Sequence, residues 1–151
     1  MNNKPNNKVR KRNRGFSLVE LIIVIAIMAI LAGVLAPQFI KYIGNSKKSS
    51  DIQNAQMIAN AISAQLSQDG VDGTSTIKVG TAADKYLAVS TIKEVTSGDP
   101  SSKVEADSKF YYKVTKDDKN NYAVSIGVGT SDAIDAQHIL YPEIASDSKW
   151  H

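Results

Sequence analysis

The stretch Arg14-Gly15-Phe16-Ser17-Leu18-Val19-Glu20-Leu21-Ile22-Ile23 sets a single carboxylate at the threshold of an apolar run. Residues 16–36, FSLVELIIVIAIMAILAGVLA, include only Ser17 and Glu20 as polar members. As a helix rising 1.5 Å per residue the segment is about 31 Å long, close to the roughly 30 Å hydrocarbon layer of a bilayer. It is long enough to span. A helix that only anchors has no use for Glu20, so this carboxylate needs an explanation of its own.

Upstream lie Lys4, Lys8, Arg10, Lys11, Arg12 and Arg14, with no acid among the first fourteen residues. The whole chain carries 18 bases and 15 acids, a formal +3; without those six bases, 12 bases face 15 acids and the remainder is −3. A nucleic-acid-binding protein keeps its positive charge on the folded part, so no nucleic-acid partner is expected. The asymmetry instead predicts a single-pass precursor in the cytoplasmic membrane, leader in the cytoplasm and the rest outside. There is no cysteine, which excludes disulfides and thiolate metal sites.

A secretory signal peptide is the competing reading of a basic start and an apolar run. It calls for a shorter apolar region, about 7 to 15 residues, and a small-x-small cleavage site, for which Ala32-Gly33-Val34 and Val34-Leu35-Ala36 are passable. Against it, the apolar pattern continues in one-sided form. Ile52, Ala55, Ala59, Ile62 and Leu66 recur at helical spacing while Gln53, Asn54, Gln56, Asn60 and Gln65 occupy much of the other face. One helix from Phe16 to Leu66 would measure about 76 Å. Its weakest turn is the helix break expected at Gly33 and Pro37, because Pro37 has no amide to offer the Gly33 carbonyl and both are poor helix formers.

Gly15-Phe16-Ser17-Leu18-Val19-Glu20, behind a basic leader and ahead of an uninterrupted apolar helix with Pro37 near its end, resembles the class III signal of type IV pilins and pseudopilins. The resemblance implies cleavage between Gly15 and Phe16 by a prepilin peptidase/methyltransferase, with Phe16 becoming N-methylphenylalanine. It further implies a pilus assembly platform and motor as partners, and polymerisation with other copies of the chain into an extracellular pilus. Glu20 lies one turn beyond Phe16, so a neighbour displaced along the fibre axis can set its Phe16 amine beside this carboxylate. A charge at the centre of a membrane helix costs on the order of 3 kcal/mol, less near an end, unless paired. The bland alternative is a glutamate that reaches to the interface and does nothing more. Many Gram-negative pilins close a carboxyl-terminal loop with a disulfide. Here the end of the chain must be held by pairing or packing.

The remaining sequence predicts a small sheet. Ser108 to Val128 reads as a hairpin, with Phe110, Tyr112 and Val114 alternating, a polar turn over residues 116–121, then Tyr122, Val124, Ile126 and Val128 alternating. Ile139-Leu140-Tyr141 before Pro142 is expected at an edge. Thr76 to Val79 is a weaker strand, Ala82 to Val95 reads as either a short helix or strands, and Ser67 to Ser75 and Thr96 to Asp107 read as exposed loops. The expected class is α+β, a long amino-terminal helix packed on a small antiparallel sheet in a lollipop arrangement. The expected segments are a leader over 1–15, a membrane and assembly helix over 16–36, its amphipathic continuation over 37–67 and a globular head over 68–151.

Catalysis finds little support. A Ser-His-Asp site on His138 with Asp132 or Asp135 lacks a glycine-flanked nucleophile turn. Asp69 with Asp72, and Asp117 with Asp118, lie where calcium binds in some loops, yet neither set has the glutamate twelve places on, and turn-forming aspartates are the simpler reading. No catalytic residue or cofactor is expected and no metal ligand is assigned; some pseudopilins bind calcium in their heads, so the resemblance leaves calcium binding by the head open. The leading expectation is a non-enzymatic structural pilin, and the alternative is a pseudopilin of a type II secretion or DNA-uptake apparatus.

Overall fold

The computed structural model describes residues 15–69, 77–80, 85–92 and 100–151. The basic leader, residues 70–76 and 81–84, and residues 93–99 lie outside the described residues, and with them parts of the loop and strand expectations for 67–107. Helix α1 runs from Leu18 to Asp69, continuous through Gly33 and Pro37. Two compact units are distinguished, one ending at Ile40 and one comprising Lys41–His151. The second unit thus holds the last part of α1 together with the strands found among the described residues.

In the unit ending at Ile40, every described residue from Gly15 onward is exposed, and Phe16 is 89% so. An apolar helix bare on all sides is not a soluble-core helix. By length and composition it is able to cross a membrane, with a window of mean hydropathy 3.0 and none of it buried.

In the Lys41–His151 unit the strands are β1 (Val79–Gly80), β2 (Leu87–Ala88), β3 (Lys109–Lys116), β4 (Tyr122–Gly129) and β5 (Ile139–Tyr141). The β3–β4 hairpin pairs Lys109 with Gly129 through Lys116 with Tyr122, and its inner positions Phe110, Tyr112, Val114, Val124, Ile126 and Val128 are buried, as the alternation predicts. β5 pairs antiparallel with β4 at the sheet edge, as expected. The expectation of an all-antiparallel sheet is corrected. β1 runs parallel to β3, pairing Val79 with Val114, so the sheet is mixed. A hairpin pattern reports only neighbouring strands, whereas the long chain between β1 and β3 permits a parallel return.

Ala55, Ile58, Ala59, Ile62 and Leu66 of α1 pack on this sheet's buried face, with Ile52 partly buried beside them. The helical stripe and the strand alternation therefore meet in one core, and the α+β class is borne out. The exposed-loop expectation for Thr96 to Asp107 fails where it is described: Ser102 is buried and Val104 packs against the core. The reason lies on α1, at Asp51.

Candidate functional site

At the start of α1 the backbone N–H of Ser17 donates to Glu20 Oε2 at 2.9 Å, and Leu21 N–H donates to the Ser17 carbonyl at 3.2 Å. Glu20 is thus the third residue of a helix capped at Ser17, and Ser17-Leu18-Val19-Glu20 has the S-x-x-E spacing of a capping box. The spacing that makes this contact is legible in the sequence alone. It also changes what a substitution at Glu20 removes. In the single chain the carboxylate satisfies an orphan amide at the helix start, next to the Gly15–Phe16 bond. Gly15 and Phe16 precede the helix and Glu20 lies in its first turn, all three exposed, while Gly33 and Pro37 lie further along an unbroken helix.

The second feature lies in the Lys41–His151 unit. Asp51 is 0% exposed, and its carboxylate is a convergence point. It accepts from Ser102 Oγ at 2.6 Å, Lys103 N–H at 2.8 Å, Val104 N–H at 3.1 Å and Trp150 Nε1–H at 3.0 Å. A buried carboxylate with four donors is fully satisfied, and it ties α1 to the 101–108 loop and to Trp150 at once. Lys48 Nζ adds a bond to the His151 carbonyl at 3.1 Å, and Ser148 Oγ donates to the Gln137 carbonyl at 2.6 Å. In a chain without cysteine, these bonds are the pairing that holds residues 147–151. Asp51 was missed because a lone acid in a polar helical stretch reads as a solvated face.

Beside Trp150 lies His138. Its Nδ1 bonds Asp135 Oδ1 and its Nε2 is 3.4 Å from Glu105 Oε1, an oxygen also bound by Lys149 Nζ. The hydrogen bond to Asp135 raises the His138 pKa, against a smaller opposing effect of burial, and the charges of Asp135 and Glu105 add to the rise. Burial pushes Glu105 up, but the bond and charge of Lys149 with the charge of His138 outweigh it and hold the carboxyl low. A carboxylate therefore faces the imidazole nitrogen where a serine nucleophile would have to stand. Asp132 is engaged elsewhere, with Lys85 at 3.2 Å.

Asp117, one of the calcium candidates, serves its own turn. It accepts from Lys119 N–H, Asn121 N–H and the Asn121 side chain, and Asn120 adopts φ 68°. The side-chain and backbone bonds from Asn121 lower its pKa. The side chain of Asp69 and all of Asp72 lie outside the described residues. Among the described residues no group of three or more His, Asp or Glu side chains is placed to hold a metal ion.

An exposed apolar helix, capped through the one carboxylate in its first turn, leads into an α+β unit, and by length and composition that helix is able to cross a membrane. Residues 10–36 match the prokaryotic N-terminal methylation motif. The chain is 36% identical over 95 residues to prepilin peptidase-dependent protein A of Clostridium perfringens, spanning 62% of this chain and 66% of that one. It is 44% identical over 55 residues to the type IV major pilin protein PilA of Myxococcus xanthus, 36% of this chain and 25% of that one. It is 27% identical over 136 residues to the type IV major fimbrial protein FimA of Dichelobacter nodosus, 88% of this chain and 83% of that one. No solved structure matches the chain. The chain thus carries the prokaryotic N-terminal methylation motif, and type IV pilin and fimbrial proteins are among the proteins it is similar to.

Proposed function

We propose that this chain is a structural, non-enzymatic subunit of a type IV pilus. Cleavage between Gly15 and Phe16 removes the leader, the new amino terminus of Phe16 is methylated, and the apolar helix leaves the cytoplasmic membrane to line the core of a fibre. The observation that carries this reading is a helix with every residue from Leu18 to Ile43 exposed, which leaves a large apolar surface to be covered by lipid or by copies of itself. Glu20 then exchanges its contact with Ser17 for the methylated amine of a neighbour's Phe16. Gly33 to Pro37 is the turn at which the helix yields in the fibre. The membrane precursor and the pilus are the two locations of the chain, and the prepilin peptidase/methyltransferase, assembly platform and motor are its partners.

Shearing cells and measuring intact masses tests the proposal. An abundant surface species beginning at N-methylated Phe16 is the expected result. A processed chain that stays in the membrane fraction favours the pseudopilin, and a mature start beyond Ala36 replaces both with ordinary secretion.

A further inference from the structure

We propose that His138 is the moving part of a pH-sensitive latch that holds residues 147–151 on the 101–108 loop and, through Trp150, over Asp51. The groups that face the imidazole come from three elements. Asp135 belongs to its own 3-10 turn, Glu105 to the loop, and Lys149 and Trp150 to the 147–151 segment. The Trp150 indole meets the His138 ring edge-on, with centroids 5.9 Å apart and planes at 67°, while its Nε1–H is bound to Asp51. Asp147 binds the side chain of Gln137, the residue before His138, at 2.6 Å. His151 is the next residue after Trp150 and the other histidine of the chain.

The switch follows from what each imidazole state offers its two neighbours. Protonated, both ring nitrogens carry hydrogens, and the ring bridges Asp135 and Glu105 as a cation between two anions. Neutral, with its remaining hydrogen on Nδ1 toward Asp135, the ring turns a lone pair toward Glu105 Oε1. An attractive contact becomes a repulsive one. Lys149, whose side chain is 65% exposed, is then the remaining cation on that oxygen and is screened by solvent.

The direction of the response is fixed by the shifts. His138 is raised from its ordinary 6.5, so its contribution is complete below that value and is lost as pH rises through the folded one. Glu105 is lowered from 4.5, so its contribution is present above that value and is lost as pH falls through its folded one. The latch is closed between these limits and opens toward alkaline pH. It lies in the Lys41–His151 unit and does not depend on whether the chain forms a pilus.

Trp150 is the one tryptophan of the chain and touches the switch, which makes it the reporter. Full-length protein in detergent micelles is titrated while tryptophan emission is recorded, and amide exchange at Ser148, Trp150 and His151 is followed after correction for its intrinsic pH dependence. The expected result, above the acid range in which Glu105 titrates, is an emission transition with a midpoint above 6.5, accompanied by faster exchange at those amides on its alkaline side. His138→Gln abolishes the transition, His151→Gln retains it, and Asp135→Asn moves its midpoint to lower pH. A transition that survives His138→Gln, or exchange that is unchanged across it, overturns the latch. Should His138→Gln fail to fold, an unmoved midpoint in Asp135→Asn overturns it equally.

Discussion

Replacing Asp51 with alanine removes the acceptor on which three parts of the Lys41–His151 unit converge. Two of its four donors have an alternative. Val104 N–H also reaches Ser102 Oγ at 3.2 Å, and the Ser102 hydroxyl is free to turn. Lys103 N–H and the Trp150 indole lose their acceptor. A buried donor left unsatisfied costs about 1 to 3 kcal/mol, so the two together cost about 2 to 6 kcal/mol, with the half-buried Lys103 amide at the lower end because water reaches it. Asp51→Asn should recover little, since one amide oxygen cannot serve four donors and its NH₂ points further donors at them. Trp150→Phe, which removes the indole donor and leaves the carboxylate with three bonds, should cost less than either. The assay is urea unfolding of the full-length chain in detergent, followed by circular dichroism in the absence of reducing agents. An Asp51→Ala midpoint equivalent to less than about 0.5 kcal/mol of destabilisation, the range of ordinary surface substitutions, would refute the reasoning.

Glu20→Ala removes both the Ser17 cap and the charge, whereas Glu20→Gln keeps a capping acceptor and removes only the charge. If pairing with a neighbour's amine drives assembly, both variants are inserted and cleaved yet absent from the shear fraction, because breaking a buried pair costs about 3 to 5 kcal/mol. Filaments from Glu20→Gln but not from Glu20→Ala would show that the cap alone matters. Gly33 has no atom within 4 Å of an added Cβ, so Gly33→Ala with Pro37→Ala strengthens the helix without a clash in the single chain. Electron cryo-microscopy should then show a regular helix through this turn where the parent filament has none, and identical helices in both would remove Gly33 to Pro37 as a yielding turn. Gly127→Ala would bring a Cβ to 2.6 Å from Ile134 Cγ2, with an expected overpacking loss of about 1 to 3 kcal/mol in thermal or urea unfolding, largely relieved in the double variant with Ile134→Ala.

The amino-terminal segment was open to reading because its determinants are local. An all-round apolar composition needs no partner in the sequence to declare that it will lie in lipid or protein, and the Gly15–Glu20 motif is contiguous. The period of two in Phe110–Val114 and Tyr122–Val128 and the three-four spacing of Ala55, Ala59, Ile62 and Leu66 are likewise properties of single elements, and burial of one face follows from each. Even the Ser17–Glu20 cap, three residues apart, was legible there. The tertiary structure alone decided which polar groups meet. Asp51 finds Ser102 across 51 positions and Trp150 across 99, and Glu105 finds Lys149 across 44. The parallel pairing of β1 with β3 and the seating of Ile134 over Gly127 and Gly129 are of the same kind. A hydrophobic face is specified by its own periodicity, but a buried carboxylate is specified by donors that chain closure brings to it, and no local pattern carries that information.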